Sequence, residues 1–397
     1  MLAAAAAPVM TGVPANILVV GGGLTGAAVS RALRRRLPET NVEVWEALDA
    51  AGGRFHTEHT VLESGAEAYA DTGAQYVTVT DDKMVAAAHL PLVTELTRAG
   101  VLEPLSGKIV GGRAADGGGN NYVAPCGLSS IVKHVFESVG IEPCYSRRAL
   151  ALRRVGRRWE VQPDGVTSEG PHNLLFDGVV LTQPIPQQLT LLGAGDGEGG
   201  EWLDAATFKG VSRADLQAVQ YSRRYALTLL FPPSQAAHFK ESIDWIARYV
   251  DKKEDDALVY VAYDRAKRRG LEAVSDEAIS LVAHTSVPYG LRTMGAGTPE
   301  ADVVSDLTTR VQRLLPWLPA PERTLLRAWP ISQVRTPLEL PEGVASLLIQ
   351  PFSSSARTER APPLILCGDA FSPLGSRFDG CVQSGEHAAA EMQHALV

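Results

Sequence analysis

Three glycines, Gly21, Gly23 and Gly26, stand at G-x-G-x-x-G spacing between the apolar run ILVV and the alanine-rich AAVSRALRRRL. A dinucleotide pyrophosphate needs backbone N–H groups that approach closely and a helix N-terminus aimed at its charge. Gly21 suits the tight turn, Gly23 leaves no Cβ to block a phosphate, and Gly26 lets helix pack on strand. Thr25 adds a hydroxyl for the phosphates. Glu46, about twenty residues past Gly26 and closing NVEVWE, is placed to read a ribose diol. An acid at that place suits FAD or NAD better than NADP, and the motif alone does not choose between the first two.

Two further blocks make the choice. Gly52-Gly53-Arg54 follows Glu46 closely, and two adjacent glycines with an arginine can lay backbone and guanidinium along a second phosphate, an element NAD dehydrogenases do not need. It resembles the E-x-x-x-x-x-GGR block of the FAD-dependent amine oxidase superfamily, whose arginine contacts FAD. CGDAF at 367–371 and FDGCVQSGEHAAAEM at 378–392 resemble the flavoprotein G-D block. In that block an Asp, here Asp369, serves the ribityl or phosphate region, and a helix begins near Asp379-Gly380. A helix N-terminus at the pyrimidine edge of a flavin stabilises the charge of the reduced ring. The blocks together predict noncovalently held FAD. Asp379 has a second reading, as the N-cap of the last helix.

The resemblance narrows further. DTGAQYVT (71–78), NNYVAPCGLSSIVKH (120–134), YSRRYAL (221–227), AHTSVPYGL (283–291), ISQVRT (331–336) and FDGCVQSGEHA (378–388) resemble segments of the renalase family, in that order. The family resemblance implies a p-hydroxybenzoate-hydroxylase-like fold. It implies oxidation of isomeric dihydronicotinamides, the 2- and 6-dihydroNAD(P) and alpha-NAD(P)H-type compounds, with O2 as acceptor and β-NAD(P)+ and hydrogen peroxide as products. FAD contacts carry over to Thr25, Arg54, Gln75 and Tyr76, with Glu46 on the ribose. Phe55 follows GGR where some relatives have Met, and Ala370 follows Asp369 where others have Gly; neither change removes a donor. Tyr76, Tyr225 and His284 are candidates for the substrate pocket, the last two with a plain core reading beside it.

A dihydronicotinamide is already a hydride donor, so orientation supplies most of what it needs, and no residue is assigned as an obligatory acid or base. Many amine oxidases place a lysine, through a water, near the flavin. Here Lys240, Lys252, Lys253 and Lys267 sit in charged segments that read as exposed, so none takes that part. Two other readings stand beside this one: a flavoprotein amine oxidase or desaturase with another substrate, and a binding or signalling protein that keeps FAD for its fold.

The elements that must position these residues follow from periodicity and breakers. Residues 16–21 read as a strand buried on both faces, 24–37 as a helix ended by Pro38, and 41–46 as a second strand, together a βαβ unit. Strands are expected at 148–162 (a pair around Gly156), 176–182, 222–231, 258–263, 280–287 and 363–368, and helices at 130–139, 301–315 and 380–396. Pro184 and Pro186 are expected to stop the 176–182 strand. The fold expected is α/β, an FAD-binding Rossmann-like domain of the p-hydroxybenzoate-hydroxylase/amine-oxidase type with an inserted β-rich substrate domain. The first takes residues 16–85, 125–185 and 360–397, the second 86–124 and 186–359, and 1–15 form a disordered leader. Residues 113–119, 193–201 and 353–361 read as local elaborations.

Bulk properties limit the remaining classes. A chain of 397 residues, 45% hydrophobic, can bury a large core, and a net charge of −8 argues against nucleic acid or an anionic membrane as partner. Cys126, Cys144, Cys367 and Cys381 make neither a disulfide framework nor a zinc pattern, and no apolar stretch reaches spanning length. The leader lacks a basic n-region and a leucine-rich core, so a cytoplasmic protein is the simplest reading, and secretion would need a non-standard route. The partners expected are the small-molecule substrate and O2.

Overall fold

The computed structural model describes residues 14–80, 83–111, 120–164, 174–193, 210–273, 275–349 and 361–397. The leader and the elaborations at 113–119, 193–201 and 353–361 lie almost wholly outside the described residues.

The first strand, Asn16–Val20, sits inside a five-stranded sheet ordered Leu347–Ile349, Leu364–Leu366, Gly178–Leu181, Asn16–Val20, Asn41–Trp45. Its neighbours pair with it in parallel, and only Leu347–Ile349 runs against its partner. NILVV does not alternate because both faces are covered: Ile17 and Val19 enter one core, Leu18 and Val20 another. The helix Leu24–Arg36 returns the chain to Asn41, with Arg34, Arg35 and Arg36 in its last turn complementing the helix dipole. It packs on the final helix, Phe378–Leu396, where Gly385 leaves no Cβ to meet that of Ala28. Strand 364–366 and the last helix thus bring residues from the far end of the chain to the glycine turn.

The second sheet has six strands in the order Arg323–Trp329, Arg224–Phe231, Ile279–Thr285, Leu258–Tyr263, Ala247–Tyr249, Ile109–Val110. One face carries a core of Leu227, Leu229, Phe231, Val261, Leu281 and Ala283, covered by the helices Val287–Gly295 and Glu300–Leu314. The other face meets the hairpin Thr57–Val61/Glu67–Asp71, through Ala68 on Leu230 and Ala70 on Ala226 and Val282. That hairpin links the GGR turn, beside the glycine motif, to DTGAQY, and so ties the segments expected to hold FAD to the six-stranded sheet.

Several boundaries differ from the sequence expectation. Pro184 and Pro186 end the strand but also open a helix, Ile185–Gly193, because proline costs little where a helix has no N–H to satisfy. Part of 86–124 packs with the first domain: Leu92, Val93, Leu96 and Leu102 enter the core of the five-stranded sheet, and only Ile109–Val110 joins the six-stranded one. The charged RAKRRG segment is not a solvated surface. It lies in a short helix, Asp264–Arg269, whose Arg265, Lys267 and Arg268 are buried.

Candidate functional site

The glycine turn is held by close backbone approaches. Gly21 has φ +113°, and a Cβ on Gly26 would fall 2.0 Å from the Gly21 carbonyl oxygen. A Cβ on Gly23 would meet nothing nearer than 3.9 Å, so the middle glycine borders open space. The GGR turn lies beside it: Gly52 N–H donates to the Gly22 carbonyl at 3.0 Å, and Gly23 and Gly52 form a parallel bridge. Glu46 is buried at the strand end, its two oxygens accepting from Gly22 N–H at 2.7 Å and Leu48 N–H at 2.8 Å. Each oxygen keeps a lone pair for a ribose hydroxyl.

Arg54 and Asp369, far apart in sequence, meet here. Arg54 Nη1 donates to the Asp369 carboxylate at 2.5 Å and to the Ser332 carbonyl at 3.0 Å, and the Ser376 hydroxyl donates to the same Asp369 oxygen. Burial disfavours the guanidinium charge, but Asp369 outweighs it and holds the Arg54 pKa above its ordinary value. The Thr25 hydroxyl reaches the Cys381 thiol, which burial and Asp369 push up to about 12. Asp379 is not the N-cap. The last helix begins one residue earlier, at Phe378, with Arg377 as its cap; Phe378 stacks on Phe55 in the core. Asp379 is fully buried in the first turn, accepting from Gly380 N–H at 3.0 Å and from the Arg377 guanidinium.

These residues fit a flavin dinucleotide. Open space borders Gly23, an acid stands where a ribose is read, and a half-buried cation is available to a phosphate. Gln183, whose backbone nitrogen lies near Gly21, has a buried side-chain oxygen with no hydrogen-bond partner among the described residues, an acceptor left for a ligand N–H or hydroxyl.

The six-stranded sheet meets the DTGAQY segment. Its register sets Arg327, Ala226, His284, Tyr260 and Tyr249 side by side in one row across five of its strands. This row lies on the face that meets Ala70. Gln75 and Tyr76 come down on it: Gln75 Nε2 lies 2.8 Å from His284 Nε2, and the Tyr76 and Tyr249 hydroxyls are 2.5 Å apart. Tyr260 stacks edge-on with both Tyr249 and His284, and its buried hydroxyl has no partner among the described residues. At the row's other end Arg327 donates to Glu58 at 2.9 Å and contacts His56, and Glu58 is drawn down to about 2 by its hydrogen bonds with His56 and Arg327. Burial, with Arg224 and Lys267 adding to it, lowers His284 to about 3, so the imidazole is neutral.

Two sequence expectations are corrected here. Tyr225 is a core residue. One position before Ala226, it points to the opposite face, into the core with Tyr289. Lys267 is not exposed. Its ammonium lies 2.7 Å from Asp264 and 3.4 Å from both Asp71 and Gln75 Oε1, with its side chain fully buried. The acids that neutralise this helix include Asp71 and Glu277, which lie outside it and are joined to it only by the fold. Tyr249, Tyr260 and Arg327 went unmarked because a row across strands depends on register. Alternation in VYVAY was the available signal.

Comparison with known proteins agrees with this architecture. The family of NAD(P)-binding Rossmann-like domains matches residues 19–89, and that of flavin containing amine oxidoreductases matches 255–393. Solved structures of the same fold include a putative protoporphyrinogen oxidase from Exiguobacterium sp. 255-15, with TM-score 0.62 and 14% identity over 96% of this chain and 99% of that one. Cyclohexylamine oxidase from Brevibacterium oxydans IH-35A gives TM-score 0.60 and 13% identity with the same coverage. Fold and site define an FAD-dependent oxidoreductase of the flavin amine oxidase class. Renalase from Mus musculus is 30% identical over 370 residues, 93% of this chain and 96% of that protein. The chain belongs to the renalase family. No helix among the described residues is long and apolar enough to cross a membrane.

Proposed function

We propose that this oxidoreductase acts on isomeric dihydronicotinamides, nucleotides whose hydride sits at ring position 2 or 6, and returns them to β-NAD(P)+ with O2 as final acceptor. The observation that carries this reading is the chemistry of the sheet wall. Burial holds the His284 pKa far below the usual imidazole range, its Nε2 faces the Gln75 amide, and the ammonium of Lys267 is paired with acids, so neither is poised to take a proton from an amine. A dihydronicotinamide needs no base, only a fixed approach to the acceptor, and supplying orientation is what a packed row of side chains does well. Bound FAD supplies the hydride acceptor and the route of electrons to O2, with hydrogen peroxide as product.

In this reading the backbone around Gly21, Gly23, Gly26 and Gly53, with Thr25 and Arg54, holds the pyrophosphate, and Glu46 holds the ribose. Asp369 serves the ribityl or phosphate region, the helix start at Asp379-Gly380 faces the pyrimidine edge, and Gln75 and Tyr76 border the ring. The FAD-binding part is 16–85, 125–185 and 360–397, and the substrate lies against the sheet formed mostly by 186–359. Product analysis tests it: aerobic turnover of 6-dihydroNAD is expected to yield β-NAD+ and hydrogen peroxide in equal amounts. Peroxide formed from a primary amine, with none from the 2- or 6-dihydro compounds, would establish the amine oxidase reading instead.

A further inference from the structure

The buried lysine has a consequence that reaches His284. Lys267 Nζ forms an ion pair with Asp264 at 2.7 Å and donates at 3.4 Å to Asp71 Oδ2 and to Gln75 Oε1. An ammonium only donates, so the atom of Gln75 that it approaches must be the amide oxygen. That settles the amide orientation and turns Nε2 toward the Asp71 and Gly73 carbonyls and toward His284 Nε2 at 2.8 Å. An amide NH2 also only donates, so His284 Nε2 must be the acceptor, and an imidazole that accepts at Nε2 carries its proton on Nδ1. The carbonyls of Asp71 and Gly73 give the amide the same orientation independently.

We propose that Lys267 is a positioning residue which, through Gln75, fixes His284 as a neutral imidazole protonated at Nδ1, the ring's one donor toward the dihydronicotinamide nucleotide. The identity of that partner rests on the function proposed above; the acceptor it suits is the carboxamide oxygen of the nicotinamide. The charged and titratable groups around His284 are Arg224 on the adjoining strand, Lys267 and Asp264 on the helix behind Gln75, and Tyr260 on the strand opposite. Two cations on this list disfavour an imidazolium, and the acids behind Gln75, Asp264 and Asp71, are committed to Lys267, Asp264 also to Arg268. The donor is therefore present throughout the neutral range. Substrate orientation then does not titrate through the neutral range.

The test uses holoenzyme with excess FAD and 15N-histidine label, the His284 signal being assigned by its loss in His284→Gln. The wild type is expected to show the neutral Nδ1–H tautomer unchanged from about pH 5.5 to 8.5. Lys267→Met is expected to let His284 titrate inside that range, and Lys267→Arg to restore the locked state. Gln75→Leu, which leaves the ion cluster intact, is expected to lose the Nδ1–H tautomer, and it decides the matter if Lys267→Met does not fold. A wild-type ring protonated at Nε2, or Gln75→Leu shifts identical to wild type, would overturn the proposal. Flavin reduction gives a second readout: its rate is expected to fall about tenfold from pH 7 to 5.5 in Lys267→Met and less than about twofold in the wild type. A lysine that only stabilised the fold would lower the melting temperature and leave tautomer and pH profile alone. The NMR measurement needs no substrate, so its outcome is separate from whether dihydronicotinamides reduce the flavin.

Discussion

At the scale of single residues, charge in buried places does most of the work. Arg54 is held between Asp369 and the Ser332 carbonyl, where a phosphate would gain a charge-assisted hydrogen bond from a group whose charge is already fixed. Arg54→Ala is expected to weaken FAD by roughly ten- to a hundredfold, the worth of one such bond at about 1.5–3 kcal/mol. The ratio of flavin to protein absorbance after purification measures it, and a variant as yellow as wild type would remove Arg54 from the phosphate site. Arg54, Glu46 and the three motif glycines could be read in the sequence because each sits in a short block whose spacing reflects the ligand. Lys267 could not: DRAKRR looks like a solvated run, and only folding brings Asp71, far away in sequence, to its ammonium. Of the two readings open for Tyr225 the structure gives the core one, since one step along a strand exchanges pocket for core.

At the scale of elements, the close packing of strand, glycine turn and helix sets the geometry of the G-x-G-x-x-G turn. Gly26 is the tightest point, with a Cβ there only 2.0 Å from backbone oxygen of Gly21. Gly26→Ala must push the helix Leu24–Arg36 off its strand, at a cost of about 3 kcal/mol. A lowered denaturation midpoint with loss of bound flavin is expected, whereas unchanged stability would mean the turn is looser than described. The βαβ unit, the final helix and the strands Arg224–Phe231, Leu258–Tyr263 and Ile279–Thr285 were legible because their apolar runs are long and cleanly bounded, while Arg323–Trp329, with charged residues at 323 and 327, was not. The helices Asp264–Arg269 and Val287–Gly295 and the hairpin Thr57–Asp71 were not. The helices are short, and their positions depend on partners distant in sequence.

At the scale of the whole molecule, two sheets with separate cores close on DTGAQY, and acid should loosen that closure. His284, ordinarily at 6.5, is lowered to about 3, so between these values the unfolded chain binds a proton the native one refuses. Stability therefore falls as pH drops below about 6.5. Glu58, ordinarily at 4.5 and drawn down to about 2, adds stability above 4.5 that is lost as pH falls towards 2. Thermal melts are expected to show a steady decline from pH 6.5 to 4, with the upper part of the decline flattened in His284→Gln; an unchanged slope in that variant would show that His284 is not the group involved.

The proposed function turns on which small molecule delivers electrons to the FAD. Anaerobic stopped-flow mixing of the holoenzyme with 2- or 6-dihydroNAD, followed at the flavin absorbance band, measures that directly. Rapid bleaching by either isomer, with no response to amines, is the result the site predicts. A flavin reduced quickly by an amine and untouched by both isomers would contradict it.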